Sequence, residues 1–140
     1  FNHDYFNTKT GASLYIGSKN ANEYVIAWDG DLLVHPDDID KCINYDGEYI
    51  GCSNIISDDT VFVKLNKNNE VQSFSYSNGD YEWSGPAKLK KNKIKYISSN
   101  VFNQIEEYLP LPMLRINAQD IDTYDDFKRA QEFVKSWQNA

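Results

Sequence analysis

The chain is short of cysteine, methionine, positive charge and long apolar runs, and each shortage excludes something. There are two cysteines, Cys42 and Cys52, and one methionine in 140 residues. The cysteines show no CxxC spacing and no nearby histidine pair, which speaks against a zinc site. They read as two buried reduced thiols of a cytoplasmic protein, a disulfide between them being the alternative. No apolar run approaches the roughly 18 to 20 residues of a membrane span, and no basic-then-apolar N-terminal stretch of the signal-peptide kind occurs. Lys and Arg number 14 against 21 Asp and Glu, a formal net charge of -7. A nucleic-acid backbone as main partner requires a local excess of Lys and Arg, so neither a nucleic acid nor a membrane is expected. The two histidines, His3 and His35, stand apart and read as surface or structural residues.

What is present suits one folded domain over residues 1–140, with 41% hydrophobic and 25% charged residues. The sequence starts at Phe1 rather than Met, as expected at a processing or truncation point. One basic cluster exists: Lys88, Lys90, Lys91, Lys93 and Lys95. It reads as a hairpin edge kept unpaired by lysines, the alternative being contact with a phosphorylated ligand.

Asn7 or Thr8 is expected to cap a first helix, with Ala12, Leu14, Tyr15 and Ile16 on its apolar face. Tyr24 to Trp28 is an almost wholly apolar run, suiting a strand buried on both faces of a parallel or mixed sheet. Pro36, Asp37 and Asp38 open a short helix, proline at its first position and acids complementing its dipole. Strands are expected over Glu48 to Asn54, Thr60 to Leu65 and Val71 to Ser75, separated by turn clusters at Ser57 to Asp59 and Asn66 to Asn69. Two short strands are expected to flank the Lys90 to Lys93 turn. Ser99 or Asn100 caps a helix that Pro110 and Pro112 prevent from continuing, and Met113 to Asn117 suits a short strand. Thr123 with Asp126 forms a capping box that uses Asp for the usual Glu or Gln, and the last helix follows. The order is α/β in style with an antiparallel insertion.

Two acidic motifs could carry chemistry. Trp28-Asp29-Gly30-Asp31 directly follows the apolar strand, and Asp120-Ile121-Asp122-Thr123 directly precedes the last helix. In open α/β sheets ligands bind beyond the carboxyl ends of strands, so acids far apart in sequence can converge there. Two carboxylates with a phosphate oxygen and waters form the hard oxygen shell that Mg²⁺ prefers. Each motif has an ordinary reading as well, a turn for the first and helix capping for the second.

The segment Asp120 to Ala130 (DIDTYDDFKRA) resembles the closing signature of small nucleotidyltransferases, in which an acid-Thr-x-x-Asp pattern opens the last helix. Tyr24 to Val34 resembles their central strand and Gly-Asp metal motif. Phe6 to Leu14 (FNTKTGASL) resembles their Asn-Thr-x-x-Ser-Leu helix start, and Tyr81 to Gly85 their acceptor-side Trp-Ser-Gly segment. The resemblance covers most of the chain, in order, and is nearest to the branch that activates sugar phosphates or phosphocholine with CTP or UTP. It implies a nucleotide-diphospho-sugar transferase-like fold, a mixed, mostly parallel sheet flanked by helices with an antiparallel insertion. It also implies Mg²⁺ on Asp31 and Asp122 as the catalytic and metal residues, with Asp29 and Asp120 as weaker candidates. Thr10, Gly11, Ser13 and Asp29 would lie near the nucleotide. Tyr81, Trp83, Ser84 and Gly85 would line the acceptor pocket, Trp83 being alternatively a packed sheet aromatic. An aromatic cage for a quaternary ammonium, from Trp28, Tyr76, Tyr81 and Trp83, is a further option.

The family's opening strand, its Gly-rich loop that cradles the triphosphate and the Pro-Lys motif after it do not occur in this sequence. The resemblance is therefore to the C-terminal part of the domain, with a missing N-terminal segment or a second chain expected to complete it. This chain alone is not expected to hold most of a triphosphate site. The reaction implied transfers a nucleoside monophosphate from an NTP to a phosphorylated small-molecule acceptor and releases pyrophosphate. The rivals are a metal-dependent glycosyltransferase using Asp29-Gly30-Asp31 as its metal motif, and a non-catalytic assembly domain.

Overall fold

The structure, a computed structural model, describes residues 1–56 and 60–137. The expected turn at Ser57 to Asp59 lies outside the described residues. Helix α1 spans Tyr5–Ser18 and is interrupted at Lys9, whose φ of 52° breaks it into an opening turn and a helix proper. Strands β1 (Tyr24–Ala27) and β2 (Leu32–Val34) follow, then α2 (Pro36–Asn44). Strands β3 (Tyr49–Ser53), β4 (Phe62–Leu65), β5 (Glu70–Ser75) and β6 (Tyr81–Lys90) come next. A short 3₁₀ turn at Lys91–Lys93 leads to α3 (Val101–Glu106), β7 (Leu111–Arg115), β8 (Ala118–Asp120) and α4 (Tyr124–Trp137).

The main sheet runs β1-β6-β3-β7-β5-β4. Strand β6 has ten residues. With β3 along one edge, its other edge takes β1 at the C-terminal half and β4 at Tyr81 and Glu82. The second pairing closes β6, β3, β7, β5 and β4 into a ring. Strands β2 and β8 form a separate antiparallel pair.

The expected mostly parallel sheet is corrected. Among the described residues only the β3–β7 pairing is parallel, and the other pairings are antiparallel. Apolar runs report burial on two faces, not strand direction. The expected two-sided burial of β1 is corrected too: all four of its residues are half-buried, because it sits at the end of the sheet. The hairpin around Lys90 to Lys93 is replaced by one long strand, β6, central in the sheet.

The lysine cluster therefore does not guard an edge. Lys88 is buried, and its Nζ donates to the carbonyls of Tyr45 (2.6 Å) and Ile43 (3.3 Å) where α2 ends. Lys91 donates to Lys19 and Ala21 just beyond α1. Cations at helix C-termini satisfy carbonyls left without intrahelical partners. Lys93 pairs with Glu48 and Lys95 with Glu107.

Ile50, Cys52, Val63, Val71 and Leu89 centre the main core, with Ile94, Val101 and Ile105 from the α3 side. A smaller core of Val34, Cys42, Tyr49, Ile116 and Ala118 lies under α2. Both cysteines are free and buried, one in each core, and burial pushes both thiols up. Asp38 ties the smaller core together. Burial alone would raise its pKa, but Lys41 and two N–H groups of Asn117, at 2.8 and 2.9 Å, hold it below the usual carboxylate range.

Candidate functional site

Two main-chain links bring the acidic motifs together. In the β2–β8 ladder Leu32 stands opposite Asp120. One step further, the Ile121 N–H donates to the Asp31 carbonyl at 3.1 Å. The local sequence explains the rest. Thr123 and Asp126 form the expected capping box, Thr123 N donating to Asp126 Oδ2 (2.8 Å) and Asp126 N to Thr123 Oγ1 (3.2 Å). Asp122 is thereby held immediately before α4, at the positive end of its dipole.

The charge that collects here is large. Crowding of the Asp120 carboxyl by the protein, then the charges of Asp31, Asp122, Asp29 and Glu82, push its pKa up to about 6 although the residue stays exposed. Asp29 is raised in the same way, by burial of its carboxyl and by Asp31. The adjoining cleft is lined by Ile56, Thr60, Glu82, Gln119, Asp120, Asp122, Asp126 and Arg129. Glu82, on β6, accepts from Ser53 Oγ (3.1 Å) and Ile56 N (3.0 Å), and Arg129 pairs with Asp126. Glu82 and Arg129 are absent from the sequence-based set. Its neighbours gave no signal for Glu82: by strand alternation it faces away from Tyr81 and Trp83, and its burial follows from the β3 and β4 pairings on either side of β6.

Asp29 rests on a second irregularity. On β3, Ile50 and Cys52 are two residues apart, yet their partners Ala87 and Trp83 on β6 are four apart. The extra residues bulge at Gly85, whose φ is +97°, and bulges of this kind re-aim neighbouring groups. A β-carbon on Gly85 would stand 2.7 Å from Asp29 Oδ2.

Thr10, Ser13, Asp29 and Gly30 line one cleft, together with Leu14, Ala27, Trp28 and Val101. Gly11 lies behind it, donating to Ser99 O at 2.8 Å, where a β-carbon would meet Ile97 and Ser99 at 2.6 Å. Thr10 Oγ1 accepts from Val101 N (3.1 Å), at the start of α3.

The residues Tyr81, Trp83, Ser84 and Gly85 are consecutive parts of β6 but do not share one environment. Trp83 packs against Phe74 (5.5 Å between centroids) and Phe102 (6.3 Å). Tyr81 lies under the Arg115 guanidinium. Trp83 Nε1 and Ser84 Oγ are buried and have no hydrogen-bond partner among the described residues. The four-aromatic cage is corrected: Tyr76 and Trp83 meet at Phe102, but Trp28 lies in the cleft with Thr10.

Among the described residues, no three His, Cys, Asp or Glu side chains converge as a metal-ligand set. From the described residues a cation here could take a pair of carboxylates. Asp31 and Asp122, both exposed and both acting on Asp120, could supply them. Mg²⁺ fits that donor set, since it is bound by one or two carboxylates plus phosphate oxygens and waters.

No family model matches the chain, and no curated protein does. Solved structures match its fold. The inositol-1-phosphate CTP transferase from T. maritima aligns with a TM-score of 0.75 at 13% identity, covering 96% of this chain and 64% of that one. The CTP:phosphocholine cytidylyltransferase LicC from Streptococcus pneumoniae aligns at 0.68 and 15%, covering 96% and 67%. A UDP-glucose pyrophosphorylase from acinetobacter baumanii aligns at 0.67 and 11%, covering 88% and 55%. The chain thus has an α/β fold similar to that of nucleotidyltransferases, and it spans about two thirds of the first of them.

Proposed function

We propose that this chain forms the metal and acceptor side of a nucleotidyltransferase. The reaction moves a nucleoside monophosphate from CTP or UTP to a sugar phosphate or phosphocholine and releases pyrophosphate. The observation that carries this reading is the junction of the two acidic motifs, Leu32 opposite Asp120 and Ile121 N–H on the Asp31 carbonyl. Its support is the fold shared with enzymes whose names describe such transfers.

An acceptor phosphate oxygen would attack the α-phosphorus in line. The bond from that phosphorus to the bridging oxygen of the leaving pyrophosphate would break. Positioning and charge neutralisation do most of such work. Magnesium, when bound, would screen the repulsion between the two phosphates. Asp31 and Asp122 would hold it, Asp120 and Asp29 supplying further negative charge around them. Thr10 and Ser13 would face the nucleotide beside Asp29, with Gly11 setting their approach by close packing. Tyr81, Trp83, Ser84 and Gly85 would shape the acceptor side from within β6, Trp83 Nε1 and Ser84 Oγ lying behind its surface. The reaction is taken as cytoplasmic, in keeping with the free thiols of Cys42 and Cys52.

The test is pyrophosphate release from CTP and UTP, offered sugar 1-phosphates and phosphocholine in turn, with Mg²⁺ and with EDTA. It is run on the chain and on a longer protein that contains it. Mg²⁺-dependent release that disappears in Asp31→Ala, with an unchanged circular dichroism spectrum, is the expected result. Release of a nucleoside diphosphate from a nucleotide-sugar would replace the reading with a glycosyltransferase. Absence of Mg²⁺-dependent nucleotide binding in every form would leave an assembly domain.

A further inference from the structure

Among the described residues α4 carries three ion pairs at i,i+3 spacing, and one differs from the other two. Lys128 pairs with Asp125 and Lys135 with Glu132, and the acids of these pairs stand in solvent, their side chains 77% and 73% exposed. Pairs of that kind are screened by water and contribute little. Arg129 pairs with Asp126, whose side chain is 19% exposed. Asp122, Asp126 and Arg129 follow one another at i, i+4 and i+7, the spacing of a single helical stripe, and all three line the acid cleft.

The capping box explains how the guanidinium is held. An Asp stands where Glu or Gln is usual. Its Oδ2 accepts from Thr123 N (2.8 Å) and Thr123 Oγ1 (2.6 Å), and Oδ1 is left for Arg129 Nη2. The Thr123 bonds, with the Arg129 charge, hold the Asp126 carboxyl below the usual carboxylate range. One guanidinium N–H is used in this way, and among the described residues the other four have no acceptor. The cleft brings Glu82, Asp120 and Asp122 beside Asp126, so Arg129 is the one cation among its described lining residues. A phosphomonoester would be repelled by those acids alone. Paired guanidinium N–H groups match phosphate oxygens in spacing and charge. The chain has one other arginine, Arg115. Its guanidinium lies over the Tyr81 ring and donates to Asn54 Oδ1 at 2.9 Å. Tyr81 and Glu82 are consecutive in β6 and face opposite sides, so Arg115 stands on the side away from the acid cleft.

We propose that Arg129 binds the phosphate of the acceptor, its guanidinium held at the acid cleft by Asp126, and so selects phosphomonoesters over their unphosphorylated counterparts. This makes Arg129 a specificity-determining residue outside the set Tyr81, Trp83, Ser84 and Gly85, none of which carries a positive charge. The name acceptor rests on the nucleotidyltransferase reading, whereas the phosphate site rests on the cleft and its one cation.

The test titrates inorganic phosphate, with Mg²⁺ present, into the 140-residue chain and follows it by NMR. The Nε–H signal of Arg129 is expected to move and that of Arg115 to stay. Arg129→Gln should weaken phosphate binding about tenfold, as loss of a charge-assisted hydrogen bond does, read from the backbone amides of Asp122 and Thr123. Lys128→Gln removes the same charge from the neighbouring stripe and should leave binding unchanged. Both positions are exposed, so the melting temperatures should match wild type. Movement of the Arg115 signal instead, an equal loss in Lys128→Gln, or no phosphate binding by the wild-type chain would overturn the proposal. In the pyrophosphate assay Arg129→Gln should raise KM for the phosphorylated acceptor about tenfold and leave KM for the NTP unchanged, and an equal rise in both would overturn it too. Phosphate binding through Arg129 in a protein that releases no pyrophosphate would remove the nucleotidyltransferase reading and leave the phosphate site standing.

Discussion

The Asp29 carboxylate lies over Gly85, with its Oδ2 2.7 Å from the place a β-carbon would take. Gly85 also has a φ of +97°, a conformation L side chains rarely adopt. Gly85→Ala therefore faces backbone strain and a clash together. Urea denaturation should show a loss of about 2 kcal/mol, and metal titration a weakened site, since Asp29 must move. A variant as stable as the wild type would show that Asp29 yields freely and that Gly85 does not fix it.

Asp31→Asn and Asp122→Asn should each lower Mg²⁺-dependent pyrophosphate release by about three orders of magnitude, the several kcal/mol a bound metal contributes. Both residues are exposed, so the melting temperature of each variant should stay within a few degrees of wild type. Retained turnover in either variant removes that residue from the metal site.

Asp120 should make the metal-free protein less stable at neutral pH than at acid pH. Its folded pKa of about 6 lies above its ordinary 3.8, so the folded state holds the proton more tightly between these values. Stability from this group falls as pH rises from about 4 to 6 and is level above that. Asp120→Asn should then be more stable than wild type at pH 7 by on the order of 1 kcal/mol, allowing for solvent screening of an exposed group. The gap should close below about pH 4. A melting-temperature series across pH with EDTA present checks both the sign and the window.

Asp38 should behave in the opposite sense. Its folded pKa lies below the ordinary 3.8, so its contribution is complete above that value and is lost as pH falls through the folded pKa. Asp38→Ala should cost about 3 kcal/mol at pH 7, because charge-assisted bonds to Lys41 and Asn117 go together. Below about pH 3 the difference between variant and wild type should shrink. Thermal denaturation at pH 7 and pH 3 reads both effects.

The elements that were legible in the sequence are those whose cause is local. Pro36 with Asp37 and Asp38 marked α2, and Thr123 with Asp126 marked α4, because a cap is made by neighbours in the chain. The acidic motifs were legible for the same reason, each being a short run at the end of an element. Strand direction was not, since Ile50 beside Met113 and Ala27 beside Ala87 are long-range pairings. Strand β8 has three residues and exists only because β2 faces it. The lysines misled for a similar reason: Lys88 and Lys91 are spent on carbonyls at the ends of helices remote in sequence.

Strand β6 has a consequence for how this protein can change over time. Its start carries Glu82, its middle lets Asp29 down onto Gly85, and its end holds β1 in place. Gain or loss of a single residue between Tyr81 and Lys90 would reverse every side chain beyond the change. The acid cleft, the bulge and the β1 ladder would then fail in one event. Length variation among natural versions should accordingly be tolerated in the Asn66–Asn69 turn and between Tyr76 and Asp80, while the ten residues of β6 keep their count and the position of their glycine.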